Sequence, residues 1–116
     1  MRLTPMACVL LSACTTVTTM DGREIDASSA SNCDVRIYQT HQSAIARGPI
    51  DEVCVVRGNS SYRLPHTVPV AIEKNKQYVC ACGAQNAYIQ SATESALDVA
   101  YVTLVAFHYS KNKKPD

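Results

Sequence analysis

The pattern of apolar and polar positions predicts one long helix over residues 67–82. Thr67 is a suitable N-cap residue, Pro69 falls in the first turn, where proline is tolerated, and Gly83 stands where a left-handed C-cap residue is favoured. One side of this helix is mostly apolar and consists of Val68, Ala71, Ile72, Asn75, Tyr78, Val79 and Cys82. Such a stripe at helical spacing predicts a helix that packs one side against a sheet.

Segments rich in β-branched and aromatic residues predict four strands. They span residues 35–38, 50–57, 87–89 and 99–109. Residues 39–47 are polar with two alanines and an isoleucine and predict a helical turn, and the polar residues 91–98 predict a loop. The predicted fold is α+β, with a mixed or antiparallel sheet of about four strands, one long helix on one face, and the order β-β-α-β-β.

The last predicted strand is apolar on both of its faces, which is typical of a central strand. One face carries the small or aliphatic side chains of Ala100, Val102, Leu104 and Ala106. The opposite face carries Tyr101, Thr103, Val105, Phe107 and Tyr109. The first face suits packing against the helix. The aromatic face is either part of the core or a contact surface, so Tyr101, Phe107 and Tyr109 are candidates for binding a partner.

Four cysteines of the predicted domain favour two structural disulfides. They are Cys33, Cys54, Cys80 and Cys82. Four cysteines allow three pairings, and all three remain open at this point. Cys80 and Cys82 are two residues apart on the predicted helix, so their side chains point about 200° apart and require separate partners. The alternative is a metal site that uses Cys80 and Cys82 with a histidine such as His66.

The first residues of the chain resemble a bacterial lipoprotein signal. Arg2 precedes a short apolar run, and residues 11–14 read Leu-Ser-Ala-Cys, which fits the pattern of an aliphatic residue, a small residue and a small residue before the cysteine. The resemblance implies that residues 1–13 are removed and that Cys14 carries a diacylglycerol and an N-linked acyl chain such as palmitate. Several acyl chains hold a protein stably on a bilayer. Thr15, in place of an aspartate, implies the outer membrane, with the domain facing the periplasm or the cell surface.

The remaining chain divides into three parts. Residues 14–32, rich in serine and threonine, predict a lipidated cysteine followed by a flexible tether. Residues 33–110 predict a single α+β domain, and residues 111–116 form a basic tail. Removal of Arg2 with the signal lowers the formal net charge from +1 to zero, so no basic field remains to attract nucleic acid.

The order of elements resembles the RcsF-type lipoprotein domain. The resemblance is carried by the opening Val-Arg-Ile-Tyr of residues 35–38, by residues 50–58 as the second strand, by the helix 67–82, and by the junction Gly-Ala-Gln-Asn-Ala-Tyr-Ile of residues 83–89. The same layout recurs in YbjQ-type proteins. The resemblance implies a disulfide-stapled domain, anchored at the outer membrane, that reports envelope damage through contacts with other proteins.

The sequence gives no arrangement typical of a catalytic site. Asp51 and Glu52 are adjacent on a predicted strand and point to opposite faces, so they do not form a paired acid and base. No Gly-X-Ser-X-Gly motif is present. We therefore expect a protein that is not an enzyme and needs no cofactor. We expect it to bind another envelope protein, with a metal-binding periplasmic module as the alternative.

Overall fold

The chain folds around a five-stranded mixed sheet. The computed structural model describes residues 15–25, 33–60, 67–94 and 100–110. The strands are β1 (Thr16–Thr19), β2 (Arg36–Tyr38), β3 (Ile50–Asn59), β4 (Asn86–Thr93) and β5 (Tyr101–Tyr109), and the helices are α1 (His41–Ile45) and α2 (Val68–Ala81). The order across the sheet is β1-β3-β5-β4-β2, in which β2 is parallel to β4 and the other pairs are antiparallel. The α+β prediction with one main helix is confirmed.

Strand β5 lies in the centre of the sheet, as the sequence predicts. Its small and aliphatic face belongs to the core beneath α2, where Leu104 and Ala106 are fully buried. On the opposite face, Val105 and Phe107 pack against Ala44 of α1. A strand that is covered on both faces gains from apolar residues at every position, which explains the missing alternation. The predicted helical turn is confirmed as α1.

Helix α2 matches the predicted helix closely. The side chain of Thr67 stands at the N-cap position but makes no capping hydrogen bond. The N–H of Val68 instead donates to a carboxylate oxygen of Glu94 at 2.7 Å, so a distant residue satisfies one of the free donors of the first turn. Gly83 follows the helix with a φ of +81°, a conformation that favours glycine. The residues of the predicted stripe that are fully buried are Ala71, Asn75 and Val79.

The prediction of a flexible tether is wrong for the described residues 15–25. Thr16–Thr19 forms the edge strand β1, which pairs with residues 54–57 of β3. Val17 is buried in the core beneath α2, and Thr18 forms a further bridge to Glu24. Threonine favours strands, and a short edge strand needs only one apolar residue on its inner face. The strand was not predicted because its residues are mostly threonine and only one of them, Val17, is apolar and buried.

The prediction of a loop from residue 91 is also wrong, because β4 continues to Thr93. Ser91, Ala92 and Thr93 pair with Thr103, Val102 and Tyr101 of the central strand. The register shifts between Ile89 and Ser91, which is the mark of a β-bulge and breaks the apolar alternation. Ser91 and Thr93 are polar because they are exposed on an edge, although their backbones belong to the sheet.

A buried asparagine joins α2 to the sheet. Asn75 is fully buried, and its amide nitrogen donates to the carbonyls of Asn59 at 3.1 Å and Ala71 at 2.7 Å. Its amide oxygen accepts from the hydroxyl of Thr15 at 3.1 Å. A Cβ atom on Gly58 would lie 2.2 Å from that oxygen, so glycine is required for this close approach. The helix, β3 and the start of β1 therefore meet at one polar contact.

We expect Gly58→Ala to lower the free energy of unfolding by about 1–3 kcal/mol, because the added methyl group displaces the amide of Asn75. Asn75→Ala alone should cost about 1–3 kcal/mol, because it leaves buried hydrogen-bonding groups unsatisfied. Urea unfolding of both single variants and the double variant tests the contact. In the double variant the clash is absent, so its loss of stability should be smaller than the sum of the single losses. Additive losses would contradict the assigned contact.

Candidate functional site

Two disulfides fix the C-terminal end of α2. Cys80 pairs with Cys33, and Cys82 pairs with Cys54. The expectation that the two helix cysteines require separate partners is confirmed: Cys54 lies on β3 in the core, whereas Cys33 lies on the surface just before β2. One bond therefore ties the helix to the middle of the sheet, and the other ties it to the chain entering the edge strand. A disulfide typically stabilises a small domain by about 2–4 kcal/mol.

The alternative metal site is incompatible with this pairing. A cysteine binds a metal ion as a thiolate, and the sulfur atoms of Cys80 and Cys82 are both engaged in disulfides. His66 lies outside the described residues, and within the described ranges no group of three metal-ligating side chains is found. The assignment of Cys80 and Cys82 as ligands is therefore wrong for the oxidised protein.

An open groove lies beside the Cys33–Cys80 disulfide. Its walls carry charges of both signs, with Asp34 and Arg36 on one side. On the helix side Lys76 and Glu73 form an ion pair at 2.5 Å. These four side chains are the charged residues that line this groove, two of each sign, so the groove offers no field that selects an anion or a cation.

The aromatic face of β5 is mostly a second small core. Phe107 is fully buried and packs edge-to-face against Tyr109 at a centroid distance of 5.2 Å, with Tyr38 at 5.8 Å. The hydroxyl of Tyr109 donates to the carbonyl of Ala44 at 2.7 Å and so holds α1 on the sheet. Burial raises the pKa of Tyr109 to about 12. This phenol therefore stays protonated and acts as a hydrogen-bond donor in the fold.

The same cluster binds a carboxylate from β3. The hydroxyl of Tyr88 donates to Glu52 at 2.6 Å, and burial together with this carboxylate raises the pKa of Tyr88 to about 12. Phe107 has no exposed surface, so its assignment as a partner-binding residue is wrong for this conformation. Tyr109 is partly buried by its own contacts. Tyr101, with 48% of its surface exposed, is the predicted contact residue that remains accessible.

Strand β4 presents an open edge that the sequence did not indicate. Strand β2 pairs only with residues 86–88 of β4. Beyond them, within the described chain, β4 pairs on one side only, and residues 90–93 are exposed. This edge carries no charge and no proline between Ile89 and Thr93, two of the usual features that protect an edge strand, and the β-bulge after Ile89 is its one protective feature among the described residues. A shallow groove formed by Gln39, His41 and Tyr88 lies beside it.

Of the helices in the described segments, none is long and apolar enough to cross a bilayer. Comparison of the chain with protein-family models, with curated proteins and with solved structures found no match. Cys14, the predicted lipidation site, lies outside the described residues.

We expect the two disulfides to differ in their reactivity toward a reductant. Cys33 is exposed, whereas Cys54 is fully buried, and thiol–disulfide exchange requires access to a sulfur atom. Mild reduction followed by alkylation and peptide mapping should label Cys33 and Cys80 before Cys54 and Cys82. Equal rates of labelling for both pairs would show that reduction requires global unfolding, contrary to this expectation.

Proposed function

We propose that this protein is a non-catalytic bacterial envelope lipoprotein, held at the outer membrane by lipid on Cys14, whose domain binds another envelope protein. The observation that carries the proposal is the pair of disulfides, Cys33–Cys80 and Cys54–Cys82. Disulfides persist in oxidising compartments such as the periplasm and are rare in the cytoplasm. The lipoprotein-like pattern of residues 11–14 supplies both the export route and the anchor.

The position of β1 favours direct attachment to the membrane over a long tether. Strand β1 begins at Thr16, two residues after Cys14. Since consecutive Cα atoms are about 3.8 Å apart, residue 14 lies within about 8 Å of the first residue of the sheet. Lipid on Cys14 would therefore hold the domain on the surface of the bilayer.

A binding role is favoured by the way in which the titratable side chains are used. The tyrosines with raised pKa, Tyr88 and Tyr109, donate hydrogen bonds to Glu52 and to the carbonyl of Ala44, so they are used to hold the fold together. The resemblance to the RcsF-type domain supports a role in sensing envelope damage through protein contacts. The two disulfides and the α+β layout are in keeping with that role.

The open edge of β4 is the contact surface that we assign to the partner. Residues 90–93 are exposed and, within the described chain, their strand pairs on one side only, so an extended segment can pair with the other side; main-chain hydrogen bonds of this kind give affinity in strand addition. The adjoining groove of Gln39, His41 and Tyr88 can receive one side chain of that segment. An uncharged edge suits a partner strand of polar and β-branched residues.

Replacement of the anchor residue tests the membrane assignment. The native protein extracted from membranes should give an intact mass of a chain that begins at Cys14 and carries an acylated glycerol. Cys14→Ser should lose that mass increment and move the protein out of the membrane fraction, because the thioether can no longer form. A wild-type chain without lipid would refute the proposal, whatever its location.

Substitution on the edge tests the binding assignment. A photo-crosslinking residue at Thr93 should give a discrete protein adduct in living cells. We expect Gln90→Lys to abolish it, because a lysine on an edge strand opposes pairing. Gln85→Lys places the same charge on an exposed residue outside the edge and should leave the adduct intact. Equal adduct with both variants would show that the partner contacts another surface.

A further inference from the structure

The chain from Cys33 to the end of α1 lies at the periphery of the domain, and residues 33–45 are called here the β2–α1 segment. Ala44 is the one residue of this segment that is fully buried, whereas α2 alone buries three residues. The pairing of β2 with β4 is parallel and three residues long, and the N–H of Arg36 donates to the carbonyl of Gln85 at 2.9 Å. Segments with little buried surface and few backbone pairs are the parts of a protein that open most easily.

The β2–α1 segment is fastened near both of its ends. At its start, the Cys33–Cys80 disulfide joins it to the last turn of α2. At its end, the hydroxyl of Tyr109 donates to the carbonyl of Ala44 at 2.7 Å. Between these points the apolar side chains that pack on the sheet remain partly exposed, and they are Val35, Ile37 and Tyr38. The disulfide is therefore the strongest attachment of a segment that is otherwise held by short pairing and shallow packing.

The two disulfides hold different parts of the fold. Cys54–Cys82 joins α2 to β3, and Cys54 is fully buried in the core. Cys33 is exposed and Cys80 is half-buried, so a thiol can approach this bond from the solvent. Selective reduction of Cys33–Cys80 leaves the helix bonded to the sheet. Its effect is then confined to the β2–α1 segment.

Strand β2 covers the part of β4 that precedes the open edge. It pairs with residues 86–88, and the open edge of residues 90–93 follows on the same strand. Within the described chain, departure of β2 would leave the whole of Asn86–Thr93 unpaired on that side. A longer unpaired strand offers more main-chain hydrogen bonds to an added segment.

We propose that the Cys33–Cys80 disulfide is a redox switch: its reduction by a dithiol protein frees the β2–α1 segment from β4 and opens the full length of β4 to the partner. A thiolate of the reductant attacks the sulfur of Cys33, and Cys80 leaves as a thiolate that takes up a proton. The second thiol of the reductant then displaces Cys33 from the mixed disulfide. Two electrons and two protons pass to the protein, and the reductant ends as a disulfide.

This switch rests on the proposed binding of a partner at β4, but opening of the segment can be measured without that partner. Cys33→Ser combined with Cys80→Ser removes the outer disulfide and keeps Cys54–Cys82, which alkylation and intact mass verify. Hydrogen–deuterium exchange of the full-length protein is followed by mass spectrometry. We expect the amides of β2 to exchange at least about tenfold faster than in the oxidised wild type, with β3 and β5 unchanged.

Two further samples guard this measurement. Gly58→Ala, which disturbs the contact between α2 and β3, is the control for a general loss of stability and should not accelerate β2 more than the other strands. Wild-type protein treated with dithiothreitol until two of the four cysteines are alkylated should repeat the result, and it covers the case in which the double variant does not fold. Unchanged exchange of β2, or equal acceleration of β3 and β5, overturns the switch and leaves the proposed function standing.

The effect on binding is read from the photo-crosslinking residue at Thr93 in living cells. Removal of the outer disulfide should increase the yield of the protein adduct severalfold, because more of β4 is then free to pair. Faster exchange of β2 with an unchanged adduct would overturn the proposed control of binding. Absence of an adduct from both the wild type and the double variant would refute the proposed contact on β4 itself.

Discussion

The contact between α2 and β3 is the constraint on which the rest of the structure depends. It is made at two levels: Asn75 contacts Gly58 at the middle of the helix, and Cys82 is bonded to Cys54 at its end. The seven residues from Asn75 to Cys82 span about 10 Å of helix, so the two attachments fix both the position and the direction of the helix on the sheet. Because Asn75 also receives the hydroxyl of Thr15, the first described residue of the chain is positioned by the same contact.

The two faces of the sheet are closed by different means. Helix α2 covers one face with aliphatic packing, whereas the opposite face is closed by a cluster of aromatic rings and a single turn of helix held by the hydroxyl of Tyr109. Among the described residues, that second cover extends over only one half of its face. The other half, which includes Thr103 and Tyr101, remains partly accessible to solvent. The unequal cover therefore leaves Tyr101 exposed at one end of β5 and buries Phe107 near the other end.

The sequence predicted the parts of the fold that are governed by local periodicity and failed where pairing across the sheet decided the outcome. The stripe of α2 and the central position of β5 were predictable, because burial on one or both faces leaves a direct signature. Strand β1 was not, since its single buried residue, Val17, is held by pairing with a distant strand. The same is true of the end of β4, where a bulge after Ile89 hides the alternation. Because the end of β4 was not predicted, its open edge was not predicted as a candidate site either.

The disulfide pairing, too, could be predicted only in part from the sequence. The geometry of a helix required different partners for Cys80 and Cys82, but only the three-dimensional arrangement of Cys33 and Cys54 selects the pairing. The accessible Tyr101 and the buried Phe107 are likewise equivalent by alternation along β5, and they are distinguished only by the residues that fold over them from elsewhere in the chain.

The short length of β1 has a mechanical consequence. A force applied to the chain at Thr15 is borne first by the hydroxyl contact with Asn75 and by four residue pairs between β1 and β3. Both disulfides lie beyond residue 25, so they cannot share the load on β1, and they hold the remainder of the domain together while this strand detaches. Detachment of residues 15–25 would add up to about 35 Å of extended chain between the proposed lipidation site, Cys14, and the rest of the domain. Tension can therefore detach the first strand and lengthen the chain by this amount without unfolding the core that the two disulfides cross-link.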